Sequence, residues 1–187
     1  VGFYSASEGM STCTGCDAGK VATAEGLSSC SSCPRAQYQS ASGQSACNDC
    51  PAGTHADIEG SSSCSACDAG TFSTGAAVNC SRCELGKYSL TSASSCSNCS
   101  VGYYSASTGS STCTACDAGE VAATVGSSAC SACERGRFQE AYGQTQCDDC
   151  AEGTATNQRG SSTCSACDAG TFSTGGAVNC SRCEPGK

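Results

Sequence analysis

The chain has no Trp, one Met, one His and three Pro in 187 residues. Leu, Ile, Val and Phe together supply only 15 residues. A globular domain of this length normally buries a core of branched aliphatics, and this composition cannot build one. Large enzyme folds are excluded on that ground. Positive charge is also scarce: nine Lys and Arg stand against seventeen Asp and Glu, for a net charge of −8. Nucleic-acid binding needs clustered cations that displace counterions, so no nucleic-acid partner is expected. No run of about 18 apolar residues occurs, so no membrane insertion is expected from this segment.

What the chain has instead is 22 Cys, 23 Gly, 34 Ser, 17 Thr and 27 Ala. A Cys share this high turns low aliphatic content from a sign of disorder into a sign of a disulfide scaffold. Every cysteine belongs to a Cys-x-x-Cys pair. The pairs begin at Cys13, Cys30, Cys47, Cys64, Cys80, Cys96, Cys113, Cys130, Cys147, Cys164 and Cys180, always 16 or 17 residues apart. A fixed short period means an array of small units rather than one fold. A longer period lies above it, because residue n matches residue n+100 without a gap. CDAGTFSTGAAVNCSRCE at 67–84 returns as CDAGTFSTGGAVNCSRCE at 167–184. Residues 1–100 are therefore read as a first six-unit block, and 101–187 as a second, incomplete one.

Within a unit, a Gly three residues after the second Cys (Gly19, Gly53, Gly70 and onward, with Ala36 the exception) suits a turn of positive φ. A second Gly, such as Gly43 or Gly60, marks another reversal. Segments such as Thr71–Thr74 and Lys87–Leu90 are short and β-prone. No segment carries a helical period. The expected fold class is small disulfide-rich repeats, an elongated rod of stacked CxxC modules with short β-strands and little or no helix.

The pattern CxxCxxGx(Y/F)xxxxxGxxxCxxC, as in CSSCPRAQYQSASGQSACNDC at 30–50 and CSNCSVGYYSASTGSSTCTAC at 96–116, resembles the ephrin-receptor-like cysteine-rich repeat. It is also similar to the cysteine-rich modules of tumour-necrosis-factor receptors. The resemblance implies extracellular, disulfide-stapled modules. It also implies crossed bridges, first cysteine to third and second to fourth over two successive pairs. Only alternate units can close this way. In the resembling modules the bonded unit carries the aromatic, which selects the phase containing Tyr38, Phe72, Tyr104, Phe138 and Phe172. The implied bridges are then Cys30–Cys47 with Cys33–Cys50, Cys64–Cys80 with Cys67–Cys83, Cys96–Cys113 with Cys99–Cys116, Cys130–Cys147 with Cys133–Cys150, and Cys164–Cys180 with Cys167–Cys183. Cys13 and Cys16 would pair upstream. The rival is a ladder, Cys16–Cys30, Cys33–Cys47 and onward, and spacing alone does not choose between them. Either scheme closes short loops worth roughly 3 kcal/mol each.

Other residue types support blander roles. Repeated CxxC knuckles have zinc-site spacing, but the acidic, Ser/Thr-rich surroundings favour disulfides, so neither metal nor cofactor is expected. A redox-catalytic pair occurs once on a thioredoxin-like fold, not eleven times in Gly/Ser-rich loops. His55 has Ala155 as its counterpart and is read as filling the slot that aromatics occupy elsewhere. Asp17, Asp68, Asp117 and Asp168 sit in CDAG turns without a calcium-loop pattern. Asn79, Asn98 and Asn179 begin Asn-Cys-Ser acceptor triplets for N-glycosylation, and the Ser/Thr clusters suit O-glycans. Of the couples Phe3-Tyr4 and Tyr103-Tyr104 one ring must face outward. Tyr4/Tyr104 and Phe72/Phe172 are the first candidates for contacts in self-association into a filament or bundle.

The functional expectation is a non-enzymatic extracellular or cell-surface structural protein. It would be a tandem-repeat rod, glycosylated, in a coat, appendage or filament. The alternative is a ligand-binding ectodomain segment of a receptor or adhesin.

Overall fold

The computed structural model describes residues 1–184. Among these the regular structure consists of eleven antiparallel pairs of two-residue strands, and no helix. The unit opening at Cys16 shows how sequence makes each pair. Asp17-Ala18-Gly19 turns the chain, with the Lys20 amide donating to the Asp17 carbonyl at 3.0 Å. Lys20–Val21 then pairs with Ser31–Ser32, in the register Lys20↔Ser32 and Val21↔Ser31. The return strand is thus the x-x of the following Cys-x-x-Cys. The same construction recurs at Thr71–Phe72 with Ser81–Arg82 and at Lys87–Tyr88 with Ser97–Asn98, where β-prone sequence was noted.

The chain divides into two compact units, one of residues 1–83 with 89–96 and the other of residues 84–88 with the chain from Ser97 onward. In the first, successive repeats are tied by backbone rungs. Gly19 N–H donates to Gln39 O at 2.7 Å, Ala22 to Gln44 O at 3.2 Å, and Gly43 back to Cys16 O at 2.7 Å. In the second the same rungs return as Gly119 to Gln139, Ala122 to Gln144 and Gly143 to Cys116. Isolated parallel bridges add a further tie, His55↔Ala77 and Phe72↔Ala93 in the first unit and Tyr104↔Ser127 in the second.

Burial follows the repeat. The second cysteine of each pair from Cys16 to Cys150 is 0–1% exposed. The residue six positions on is buried as well: Ala22, Gln39, Ala56, Ser73, Ser89, Ser105, Ala122 and Gln139. Ala and Ser suit so narrow an interior, and the polar members are bonded. Ser73 Oγ donates to Thr54 O at 2.7 Å, and Gln39 Nε2 to Ala46 O at 2.7 Å. Among the described residues no buried side-chain polar atom lacks a partner. Sulfur and backbone hydrogen bonds stand where an aliphatic core would be.

The disulfide ladder and its side-chain clusters

Ten disulfides join described residues: Cys16–Cys30, Cys33–Cys47, Cys50–Cys64, Cys67–Cys80, Cys83–Cys96, Cys99–Cys113, Cys116–Cys130, Cys133–Cys147, Cys150–Cys164 and Cys167–Cys180. This is the ladder, one bridge per repeat, and it overturns the crossed scheme. Neither Cys30–Cys47 with Cys33–Cys50 nor Cys64–Cys80 with Cys67–Cys83 forms. The same correction applies to Cys96–Cys113 with Cys99–Cys116, Cys130–Cys147 with Cys133–Cys150, and Cys164–Cys180 with Cys167–Cys183.

The reason lies in the strand between the two cysteines. Because Ser31–Ser32 is extended, side chains alternate, and positions three apart face opposite ways. Cys30 therefore turns back to Cys16 across its own hairpin, while Cys33 turns forward to Cys47 in the next. Cα–Cα separations of 5.7–5.8 Å sit at the centre of the disulfide range.

Two cysteines, Cys13 and Cys183, are unpaired and exposed. Cys183 thus departs from the expected bridge, and Cys16 pairs inside the chain rather than upstream. The aromatic phase argument also fails. All alternate units carry bridges alike, so the side chain five residues after the buried cysteine does not mark closed units.

That column has another role, visible at His55. Its ring lies over the bridge of the next repeat, with Nδ1 3.3 Å from Cys80 Sγ. A disulfide sulfur carries no hydrogen, so the ring N–H is the donor. His55 does fill the half-buried slot expected of it, and it also meets a sulfur. One ring nitrogen of His55 and the sulfurs of Cys67 and Cys80 all lie within 4.8 Å of one another. It is the one such cluster of potential metal ligands among the described residues. No spacing rule joins a histidine to cysteines 12 and 25 residues on, and only the winding of the chain brings them together. In the second unit the corresponding position is Ala155. An open cleft of about 510 Å³ lies there, lined by Ala155, Thr156, Gln158, Ser161, Asn179 and Cys180 among others.

The remaining candidates fall on the surface. Asn79, Asn98 and Asn179 are all exposed. All three precede bridged cysteines, and Asn98 also lies in the strand Ser97–Asn98. The outward rings of the aromatic couples are Phe3 and Tyr103, at 50% and 42% exposure, while Tyr4 and Tyr104 are half-buried. Phe72 is half-buried and Phe172 is exposed. The CDAG turns form through backbone carbonyls: Asp68 O accepts from Thr71 N at 3.0 Å and from Thr71 Oγ1 at 2.7 Å. No helix among the described residues is long and apolar enough to cross a membrane.

The family model described as tyrosine-protein kinase ephrin type A/B receptor-like matches residues 19–67, 86–129 and 119–167. The last two overlap, and together the three take in well over half of the chain. No curated protein matches it.

Proposed function

Because the chain belongs to the ephrin type A/B receptor-like family of cysteine-rich repeats, we propose that it is a non-enzymatic structural segment of an extracellular or cell-surface protein, a stiff rod within a coat, appendage or filament. The observation that carries this reading is the uniformity of the rungs. In each unit the same donors meet the same acceptors repeat after repeat, and the ladder runs unbroken past His55, where Ala56 N–H donates to Ala77 O at 3.0 Å. A scaffold needs equal links; a binding site needs a special one. Ten bridges at this density also require an oxidising compartment.

Repeats that advance by two strand spacings would make the chain on the order of 100 Å long. Small-angle scattering and negative-stain imaging of the monodisperse chain test this. Thin straight particles of that length support the rod, and a compact particle of about 40 Å, the size expected of a globular chain this long, would overturn it.

Self-association is the second part of the proposal. The gapless 100-residue repeat supports lateral contacts recurring once per six repeats, with exposed Phe3 and Tyr103 as their anchors. Rods that stay separate at high concentration would remove it. Glycans on Asn79, Asn98 and Asn179 complete the reading, and secretion from a glycosylating host should add mass at those peptides.

The ligand-binding alternative draws on the cleft beside Ala155. A glycan or peptide array that retains the chain, and loses it on filling the cleft by Ala155→Trp, would favour that reading.

A further inference from the structure

His55 is the only histidine in the chain, placed where other repeats carry Val, Ala, Tyr or Phe. Its Nδ1 lies 3.3 Å from Cys80 Sγ, and the Cys67 sulfur completes a three-donor group within 4.8 Å. While Cys67 and Cys80 are bonded to each other, neither offers a thiolate, which is the sulfur form that binds metals. We infer that reduction of this one bridge by a thiol creates a site for a zinc-class cation, held by the thiolates of Cys67 and Cys80 and by Nδ1 of His55, with the fourth position open to water. The inference stands independently of the scaffold reading.

The step balances without further reagents. Two molecules of a low-molecular-weight thiol supply two electrons and two protons and leave as their own disulfide. The Sγ–Sγ bond breaks, and Cys67 and Cys80 become thiols. The divalent cation then displaces both thiol protons to solvent. The imidazole, which in the bridged form donates its Nδ1 proton to the sulfur, gives that proton up to water, takes one from water on Nε2 and offers its Nδ1 lone pair.

The geometry needs little adjustment. Bonds of ~2.3 Å to sulfur and ~2.05 Å to nitrogen around a tetrahedral ion place two sulfurs about 3.8 Å apart and sulfur about 3.6 Å from nitrogen. The Cys80–His55 distance is already within a few tenths of that value, so the two released sulfurs must part and the Cys67 sulfur, within 4.8 Å of the ring nitrogen, must settle at its bonding distance. The backbone on either side is held without the bridge. Ala56 N–H donates to Ala77 O at 3.0 Å and Ala76 N–H to Cys50 O at 2.8 Å, which keeps the His55 strand against the loop that ends at Cys80. Cys67 is fully buried, whereas Cys80 and His55 are half-buried, so the ion enters from one side and leaves that side for water.

Two sulfurs of a single Cys-x-x-Cys face opposite ways in this fold. The other bridges lack a third donor of this kind, since this is the one such cluster among the described residues. Cys167–Cys180, the equivalent bridge 100 residues on, has Ala155 in place of the ring and serves as a control inside the same molecule.

The test uses the full oxidised chain carrying Cys13→Ser and Cys183→Ser, which removes the two unpaired thiols. One equivalent of a phosphine reductant is added with or without Zn²⁺, followed by acid quench, alkylation and peptide mapping. With Zn²⁺, label should concentrate on Cys67 and Cys80, at least about tenfold above the level seen in a His55→Ala chain. Ala155→His should draw label to Cys167 and Cys180 as well. Co²⁺ in place of Zn²⁺ should give a tetrahedral visible spectrum with thiolate charge transfer at one ion per chain, rising to two in Ala155→His. His55→Ala reproduces the natural Ala155 environment, so its folding is secured. Label spread evenly over the bridges, or a Co²⁺ spectrum unchanged by His55→Ala, would overturn the site. A null effect of Ala155→His together with an unchanged pattern in His55→Ala would do the same.

Discussion

Ala36 stands at φ 68° in a column that is otherwise glycine. A side chain in the left-handed region costs about 1–2 kcal/mol, so Ala36→Gly should stabilise its repeat by about 1 kcal/mol. The change would be read as slower amide exchange at Ala36 and at Cys50, whose N–H bonds the Ala36 carbonyl at 2.9 Å. Gly19 is the opposite case. Its φ is +81°, and a Cβ there would fall inside van der Waals contact of the Gly60 carbonyl oxygen. Gly19→Ala therefore pays a steric as well as a conformational penalty and should cost more than about 2 kcal/mol, releasing the Gly19–Gln39 rung to exchange. Ser73→Ala should be milder. It removes the bond to Thr54 O, worth about 1 kcal/mol, in a column where Ala22, Ala56 and Ala122 already show that the space fits alanine.

A hairpin of two-residue strands has no stability of its own, and each is closed by a bridge spanning 13 or 14 residues. On the loop-entropy model such a bridge is worth about 3 kcal/mol. Replacing Cys33 and Cys47 together by Ser should therefore cost about that much, with exchange rising in that hairpin before others. Replacing Cys47 alone opens the same bridge, leaves the Cys33 thiol unpaired in the interior and should cost about as much. Peptide mapping without reduction should recover each ladder pair, such as Cys33 with Cys47, and titration of the denatured chain should find two thiols, at Cys13 and Cys183. A peptide joining Cys33 to Cys50 would contradict the fold directly. The extra residue that separates 14-residue from 13-residue spans is absorbed just before the second turn. There Ala76 and Ser92 adopt φ 47° and 59°, doing what Gly43 and Gly60 do in the longer loops.

At the scale of the molecule, the described interior is sulfur, alanine, serine, two glutamines, one valine and backbone. Three exposed ion pairs, Lys87–Glu84, Arg137–Asp149 and Arg159–Glu134, contribute little. Full reduction should accordingly unfold the chain at room temperature, seen as collapse of amide protection and loss of protease resistance. A chain held by an aliphatic core would keep most of its protection in reductant. Because rungs join near neighbours, exchange protection after cutting a single bridge should fall locally rather than everywhere.

The Cys-x-x-Cys period and the glycine three residues beyond it are local facts, and they sufficed to foresee short strands, sharp turns, bridges and little or no helix, since turn chemistry and strand length depend on a few adjacent residues. The family was legible for the same reason: its signature is spacing. Which cysteine bonds which was not legible. The answer depends on whether the two residues between cysteines are extended, and so on pairing with a strand eleven residues away, as Lys20–Val21 with Ser31–Ser32 shows. The meeting of His55 with Cys67 and Cys80 lay further still from view. It arises because the side chain of one repeat covers the bridge of the next, a relation set by how the chain winds and by no residue near His55 in sequence.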